Sequence, residues 1–195
     1  MTREIRTFVG IPVEPTDSIR SILDELSHIS GVKLVAGNTM HITLKFLGDT
    51  LHDQVDHLSQ LIKRATDGQQ AIDIRLTGLD AFPNRERPSI VWAALTGAEP
   101  IITMANTLMD LLEPEGFARE ERGYTPHLTL ARVRAERRGS RMRIPEAVLE
   151  LLREHQDTDF GTARLDKVVF YKSVLSDSGP TYTPLTTVSL DPPRS

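Results

Sequence analysis

Two short stretches of the chain combine a histidine with a threonine two residues later in an otherwise apolar segment. They are "HITL", beginning at His41, and "HLTL", beginning at His127. Alternate residues of a β-strand lie on one face, so His41 and Thr43 are predicted to share a face, as are His127 and Thr129. The aliphatic residues between them are predicted to enter a core. Two such tetrads among the chain's 6 histidines would arise by chance with a probability on the order of 1 in 10,000.

Two imidazoles on facing strands suit paired acid–base catalysis, because imidazole titrates near neutral pH and one ring can accept a proton while the other donates one. The neighbouring hydroxyls of Thr43 and Thr129 suit the non-bridging oxygens of a phosphate, whose negative charge grows during attack. Neither tetrad has a third histidine or a carboxylate at ligand spacing nearby. The pattern therefore predicts chemistry on a phosphate by His41 and His127, with neither a metal ion nor another cofactor.

Three residues beside the tetrads are candidates for substrate binding. Lys45 is predicted to share the His41 face, either stabilising charge or lying solvated at the strand end. Phe46 and Arg132 follow His41 and His127 at the same interval, and bases stack on aromatic rings and guanidinium planes. In an ideal strand both would point away from the histidine face, so only a bend or strand end would bring them to the site. The alternative for Phe46 is a core position.

Hydrophobic periodicity predicts the elements that position these residues. A strand over 5–13 precedes a helix that begins at Thr16 or Asp17, and a short strand and a turn at Gly37–Asn38 precede a tetrad strand ending at Gly48. The next helix is predicted to be capped by Asp49 or Thr50. The remaining predictions are strands at "AIDIRLTGLDAF" and "PSIVWAALTG", a helix at "AEPIITMANTLMDLLEPEG", the second tetrad strand, a helix over 145–155, and strands "RLDKVVFYKSVL" and "TYTPLTTVSL" joined by the turn "SDSGP". Few helices and many consecutive strands favour an α+β fold with antiparallel sheets.

The whole chain limits the classes of function. Its 195 residues suffice for one domain with a sizeable core or two lobes packed as a unit. The absence of cysteine excludes disulfides, thiolate metal sites and a cysteine nucleophile. We find neither a signal peptide nor an apolar segment long enough to cross a bilayer, so we expect a soluble, cytoplasmic protein without membrane partners.

The formal net charge of −4 argues against a protein that grips long nucleic acid through many phosphates, although a small anionic group in a local pocket fits it. The run "ARVRAERRGSRMR", with arginines at 132, 134, 137, 138, 141 and 143, is the exception. It is either a solvated loop or an electrostatic rim that attracts a polyanion.

The two tetrads resemble those of the 2H phosphoesterase superfamily. Within it, "RTFVGIPV", "HITLKFLGD" and "GYTPHLTLARV" are similar to the RNA 2',3'-cyclic phosphodiesterases, formerly called 2'-5' RNA ligases, over nearly the whole chain. The resemblance implies a single bilobal domain over residues 1–195, with two antiparallel sheets facing a central cleft and helices on the outer faces. It also implies His41 as proton donor, His127 as proton acceptor, and Thr43 and Thr129 as phosphate contacts.

The activity implied by the resemblance is metal-independent hydrolysis of RNA 2',3'-cyclic phosphate ends to 2'-phosphate ends, with 2'-5' ligation as the reverse reaction. The implied partner is RNA with such an end, tRNA fragments included, and we expect a monomer. One alternative is a 2H phosphoesterase acting on small cyclic phosphates or 2'-5' oligonucleotides. Another is a non-catalytic nucleotide-binding module, against which the intact pairing of both histidines with both threonines argues.

Overall fold

The computed structural model describes residues 4–119, 123–138, 141–176 and 179–192. The strands are β1 (Glu4–Pro12), β2 (Val32–Leu34), β3 (His41–Leu51), β4 (Ile72–Phe82), β5 (Ile90–Thr96), β6 (Leu128–Val133), β7 (Glu136–Arg138), β8 (Arg141–Arg143), β9 (Asp159–Leu165), β10 (Lys167–Ser176) and β11 (Gly179–Ser189). The helices are α1 (Asp17–Ser27), α2 (Val55–Thr66), α3 (Glu99–Leu112) and α4 (Glu146–Glu154). Short 3-10 turns lie at Gly37–Thr39, His52–Gln54 and Glu113–Glu115.

The strands form two antiparallel sheets. The first sheet has the order β11-β10-β1-β3 and the second sheet the order β2-β6-β5-β4-β9, while β7 and β8 pair only with each other. The first tetrad therefore lies in an edge strand of the first sheet, and the second tetrad in an interior strand of the second sheet. The predicted α+β class with antiparallel sheets is confirmed.

Helices cover the face of each sheet that carries the buried aliphatic residues. Helices α1 and α4 pack against the second sheet, whereas α2 packs against β10 and β11 and α3 against β3. Thr16 caps α1 as predicted, since its hydroxyl accepts a hydrogen bond from the Ile19 amide at 3.2 Å. The same hydroxyl donates to the Phe160 carbonyl of β9 at 2.6 Å, which fixes the start of α1 against the second sheet.

The predicted cap of α2 at Asp49 or Thr50 is wrong, because β3 continues past Gly48 to Leu51. The φ of Gly48 is +73°, and a β-bulge lies beside it in the pairing with β1. Beyond this bulge Thr50 still pairs with β1, and its hydroxyl forms a buried hydrogen bond of 2.7 Å with that of Thr7. The glycine therefore bends the strand instead of ending it.

The prediction of one strand over "RLDKVVFYKSVL" is also wrong. Residues up to Leu165 belong to β9 in the second sheet, and Lys167 begins β10 in the first sheet. The chain thus crosses between the sheets at Asp166. The hairpin of β10 and β11 is confirmed up to the pair formed by Ser176 and Gly179, while residues 177 and 178 of the predicted turn lie outside the described ranges.

The arginine-rich run does not form a continuous loop, because its backbone contains the two-stranded ribbon of β7 and β8. Residues 139 and 140, and the side chains of 136–138, 141 and 142, lie outside what the structure describes. Arg132, Arg134 and Arg143 are exposed. Whether the run acts as an electrostatic rim stays a prediction.

Candidate active site

The histidines of the two tetrads are held by the same hydrogen bond. Nδ1 of His41 lies 2.7 Å from the carbonyl oxygen of Thr39, and Nδ1 of His127 lies 2.8 Å from that of Thr125. A carbonyl can only accept, so Nδ1 carries a proton in both rings and Nε2 of each neutral ring has a free lone pair. Both acceptors lie two residues before the histidine, so the shared pattern is T-x-H-[IL]-T-L, a longer signal than the tetrads alone.

The two rings are close enough for the charge of one to act on the other. Burial is the largest influence on His41 and lowers its pKa below the ordinary value of 6.5. The hydrogen bond to Thr39 opposes this shift by raising the pKa, and the positive charge of His127 adds to the lowering. Thr43 and Thr129 are half-buried in the same strands. The structure thus brings together the four residues predicted for acid–base chemistry and phosphate contact.

Each tetrad strand contains a β-bulge at the final leucine of its tetrad. In β3, Thr43 is opposite Gly10 and Lys45 is opposite Val9, so Leu44 is the extra residue. In β6, Thr129 and Ala131 are opposite consecutive residues of β5, so Leu130 is the extra residue. Because a bulge adds one residue, the alternation of faces is shifted by one position beyond it.

The shift decides the location of the residues that follow each tetrad. Lys45 and Ala131, the first residues after the bulges, are buried, with Lys45 only 4% exposed. Phe46 and Arg132 come next and are exposed, Phe46 to 57%. The bulges therefore bring Phe46 and Arg132 to the histidine side, as their proposed role requires. The predicted position of Lys45 on the His41 face is wrong, since its Nζ donates to the Ala118 carbonyl at 2.6 Å on the buried side.

Aromatic rings of the first sheet surround His41. Phe8 lies 4.8 Å from the imidazole between ring centroids, and Tyr182 meets it edge-on at 5.3 Å. Phe46 and Tyr171 flank Phe8 at 6.0 and 5.0 Å, and we call these four residues the aromatic platform. Sequence reasoning found only Phe46 of this set, because the others lie in β1, β10 and β11 without any shared motif.

Gly10 allows the close contact between His41 and the first sheet. A Cβ atom at this position would lie 3.2 Å from Cδ2 of His41 and 3.3 Å from the ring of Phe8. Contacts this short would push one of the two rings away. The residue opposite the first tetrad is thus small because the imidazole lies over it.

His127 has its own aromatic neighbours in the second sheet. Phe82 meets its ring edge-on at 5.0 Å, and Trp92 lies 5.5 Å away. Phe82 and Trp92 also stack on each other at 5.0 Å. Among the described residues, Nε1 of Trp92 is the buried side-chain donor without a hydrogen-bond partner. Two apolar rings of the second sheet thus pack against the imidazole of His127.

Exposed cations from both sheets lie around Tyr182, the ring that meets His41 edge-on. Lys33 and Arg132 are directly opposite each other on β2 and β6. Burial raises the pKa of Tyr182, and the charges of Arg132 and Arg6 act in the opposite direction. Arg132 of the second sheet is therefore close to Tyr182 of the first. Among the described residues, no carboxylate lies within 4 Å of these three cations, which leaves them available to an anion.

The described residues also bear on metal binding and on membrane insertion. Over the described ranges, no group of three or more His, Asp or Glu side chains is arranged to hold a metal ion. None of the helices in those ranges combines the length and apolar character needed to cross a bilayer.

Known proteins are similar to this chain over most of its length, including both tetrads. The family model of the 2'-5' RNA ligase superfamily matches residues 15–177. The RNA 2',3'-cyclic phosphodiesterase of Archaeoglobus fulgidus is 30% identical, with 93% of this chain and 98% of the relative aligned. The protein of the same name from Aeropyrum pernix is 31% identical, with 83% and 89% aligned.

Solved structures share the fold. TT0787 of Thermus thermophilus superposes with a TM-score of 0.75 at 24% identity, covering 97% of this chain and 100% of that chain. E. coli LigT complexed with 3'-AMP gives a TM-score of 0.71 at 22% identity, covering 96% and 99%. At this level of identity the likeness concerns the fold, and it confirms the bilobal arrangement of two antiparallel sheets.

Proposed function

The chain belongs to the 2'-5' RNA ligase superfamily, and from this premise we propose that it is a hydrolase that opens 2',3'-cyclic phosphates at RNA ends. One observation carries the proposal: two imidazoles with the same Nδ1 hydrogen bond lie within electrostatic reach of each other, each with a threonine on its strand. The names of the relatives support the activity. We infer the division of labour and the product below from the chemistry of the groups.

The proposed reaction needs two proton transfers and no metal ion. Nε2 of neutral His127 takes a proton from water, whose oxygen forms a new bond to phosphorus. The bond from phosphorus to the 3' oxygen breaks on the opposite side, and protonated His41 gives that oxygen its proton. Thr43 and Thr129 donate hydrogen bonds to the non-bridging oxygens. Each positioned proton transfer contributes about 100- to 10,000-fold in rate.

Substrate binding explains how His41 acts as the acid although burial lowers its pKa. A cyclic phosphate carries a negative charge, and an anion beside the ring favours the imidazolium form. We propose that His41 gains its proton when the substrate enters the cleft. The terminal base would stack on Phe46 of the aromatic platform, and Arg132 would face it from the opposite wall.

The same groups would catalyse ligation. An RNA 5'-hydroxyl in place of water gives a 2'-5' linkage through the same proton transfers, in reverse of cleavage. Because water is present at far higher concentration than any RNA end, hydrolysis is expected to dominate.

The decisive experiment identifies the product isomer. An oligonucleotide with a 2',3'-cyclic phosphate end, incubated with the protein in EDTA, should yield a 2'-phosphate and a free 3'-hydroxyl. Exclusive formation of the 3'-phosphate would mean that the 2' oxygen leaves, which contradicts the proposed geometry. Binding of the oligonucleotide without turnover would favour the nucleotide-binding module. Turnover of cyclic mononucleotides alone would favour a small-molecule phosphoesterase.

A further inference from the structure

The chain reaches His127 through a segment that is fastened to the strand of the other histidine. We call residues 117–125, between the 3-10 turn Glu113–Glu115 and the second tetrad, the connecting segment; residues 120–122 within it lie outside the described ranges. Its described parts contact β3 at two points. Nζ of Lys45 donates to the carbonyl of Ala118 at 2.6 Å, and the hydroxyl of Tyr124 donates to the carbonyl of Thr43 at 2.9 Å.

The second contact connects the two tetrads almost directly. Thr43 is the threonine of the first tetrad, and Tyr124 is covalently followed by Thr125, whose carbonyl holds Nδ1 of His127. A continuous path thus runs from the backbone of β3 through the Tyr124 side chain and the backbone as far as the Thr125 carbonyl to the imidazole of His127, with a hydrogen bond at each end. Because Tyr124 is bonded covalently to Thr125, its hydrogen bond to Thr43 restrains the segment that carries the acceptor of His127.

The first contact uses a group that is costly to bury. Lysine is rarely buried without a partner, because its ammonium loses strong hydration. Among the described residues no carboxylate lies within 4 Å of Nζ of Lys45, so its described partner is the carbonyl of Ala118. The neighbouring Arg119 forms ion pairs with Asp110 and Glu113, which join this end of the segment to α3. The bulge at Leu44 is what turns Lys45 toward the segment.

We propose that Lys45 and Tyr124 are positioning residues, which fasten the connecting segment to the first tetrad strand and thereby set the position of His127 relative to His41. This role rests on the proposed function, because the groups that are positioned are the two proposed catalytic histidines. Small displacements of catalytic groups are sufficient to matter, because an error of about 1 Å costs about 100-fold in rate. The proposal concerns geometry, so it predicts effects on turnover more than on substrate binding.

Kinetics of conservative variants test the proposal. Tyr124→Phe removes one oxygen, and Lys45→Met keeps the unbranched side chain as far as Cε but removes the Nζ donor. Each should lower kcat by about 10- to 100-fold while KM changes by less than about threefold. Lys45→Arg should recover part of the loss, because it restores a donor at the same place.

Thr7→Val is the matched control, since it removes the buried 2.7 Å hydrogen bond to Thr50 between β1 and β3 without touching the connecting segment. It should lower the melting temperature about as much as Tyr124→Phe and leave kcat within about twofold. Loss of kcat in proportion to stability in all of the variants would overturn the positioning role, as would wild-type kcat in both Tyr124→Phe and Lys45→Met.

A titration separates failure of this proposal from failure of the proposed function. The NMR titration midpoint of His41, measured with and without His127→Gln, reports how strongly the two rings interact, even if no substrate is turned over. Their interaction should be weaker in the Tyr124→Phe background and unchanged in the Thr7→Val background. An equal interaction in all backgrounds would show that the segment does not set the separation of the rings.

Discussion

At the level of single residues, the two histidines share one hydrogen-bond arrangement but have different surroundings. His41 lies over Gly10 in the aromatic platform, whereas His127 contacts Phe82 and Trp92. Burial disfavours the charged form of His41 and is only partly opposed by the hydrogen bond to Thr39. Nearly identical tetrads therefore hold their imidazoles in different surroundings, and burial lowers the pKa of His41.

The titration of His41 should reveal this difference. In the free protein its NMR midpoint should lie below 6.5 and should rise when a phosphate ligand binds. Since the pKa of His41 is lowered in the folded state, its contribution to the unfolding free energy is present above about pH 6.5 and is lost as the pH falls through the folded value. Urea unfolding of wild type and His41→Asn across this window measures that contribution. A midpoint at or above 6.5 would contradict the effect of burial.

The roles of acid and base can be separated with a leaving group that needs no proton. His41→Ala should reduce hydrolysis of a cyclic phosphate by about 100- to 10,000-fold. A nucleoside 2'-(p-nitrophenyl) phosphate carries its leaving group on the His127 side, where water enters in hydrolysis, and its own 3'-hydroxyl attacks from the His41 side. Because p-nitrophenolate leaves unprotonated, His127→Ala should lose far less activity on this substrate than on a cyclic phosphate. His41→Ala should impair both substrates, since the 3'-hydroxyl must still be deprotonated. Equal losses of His127→Ala on both substrates would contradict the placement of the two histidines on opposite sides of the phosphorus.

At the level of elements, the bulges explain which residues lie on the histidine side of each tetrad strand. Alternation of polar and aliphatic residues predicted the tetrad strands correctly, because each histidine and threonine lies opposite buried aliphatic side chains. It could not predict the bulges, since neither Leu44 nor Leu130 differs in type from an ordinary core leucine. The sequence therefore placed Lys45 on the wrong face, and the location of Phe46 and Arg132 stayed open until the pairing with β1 and β5 was known.

Other elements escaped prediction for related reasons. The break at Asp166 lies between two segments of the same apolar character, so periodicity gives no sign that they belong to different sheets. The aromatic platform combines residues of β1 and β3 with residues of the distant β10–β11 hairpin, and single aromatic residues are typical of any core. By contrast, α1 and α2 were predicted because each repeats apolar residues at helical spacing along its length.

Phe46 offers the clearest test of the bulge in β3. Its ring is 57% exposed beside Phe8, so Phe46→Ala should leave the melting temperature nearly unchanged. It should weaken binding of a nucleotide by about 1–3 kcal/mol, the value of one stacked base. Ile102→Ala, on the exposed side of α3, is a control that should affect neither property. Unchanged nucleotide affinity in Phe46→Ala would remove this ring from the binding site.

At the level of the whole molecule, charge and packing are distributed unevenly. The net charge is −4, yet exposed cations from both sheets lie together around Tyr182. One cluster of buried apolar residues includes Val9 of the first sheet and Leu130 of the second, so the two walls share a core. The assignment of residues 1–195 to a single domain stays a prediction.

The cations predict a preference for longer substrates. Replacing Arg6 and Lys33 with Gln should raise KM for a cyclic-phosphate oligonucleotide more than for a cyclic mononucleotide, because only the longer chain brings further phosphates. The slope of log KM against the logarithm of the salt concentration should decrease by about 0.7 for each phosphate contact that is lost. The double variant Lys63→Gln, Arg64→Gln on exposed positions of α2 removes equal charge elsewhere and serves as control. Equal effects of both pairs would indicate a response to net charge alone.

The position of Trp92 gives the protein an internal optical reporter. It is the chain's only tryptophan and its ring lies 5.5 Å from that of His127, so all indole fluorescence originates beside the proposed base. Protonated imidazole quenches a neighbouring indole more strongly than neutral imidazole does. Emission intensity should therefore follow the protonation of His127, and this dependence should vanish in His127→Gln. Proton uptake in the cleft can then be followed in rapid mixing experiments without any attached dye.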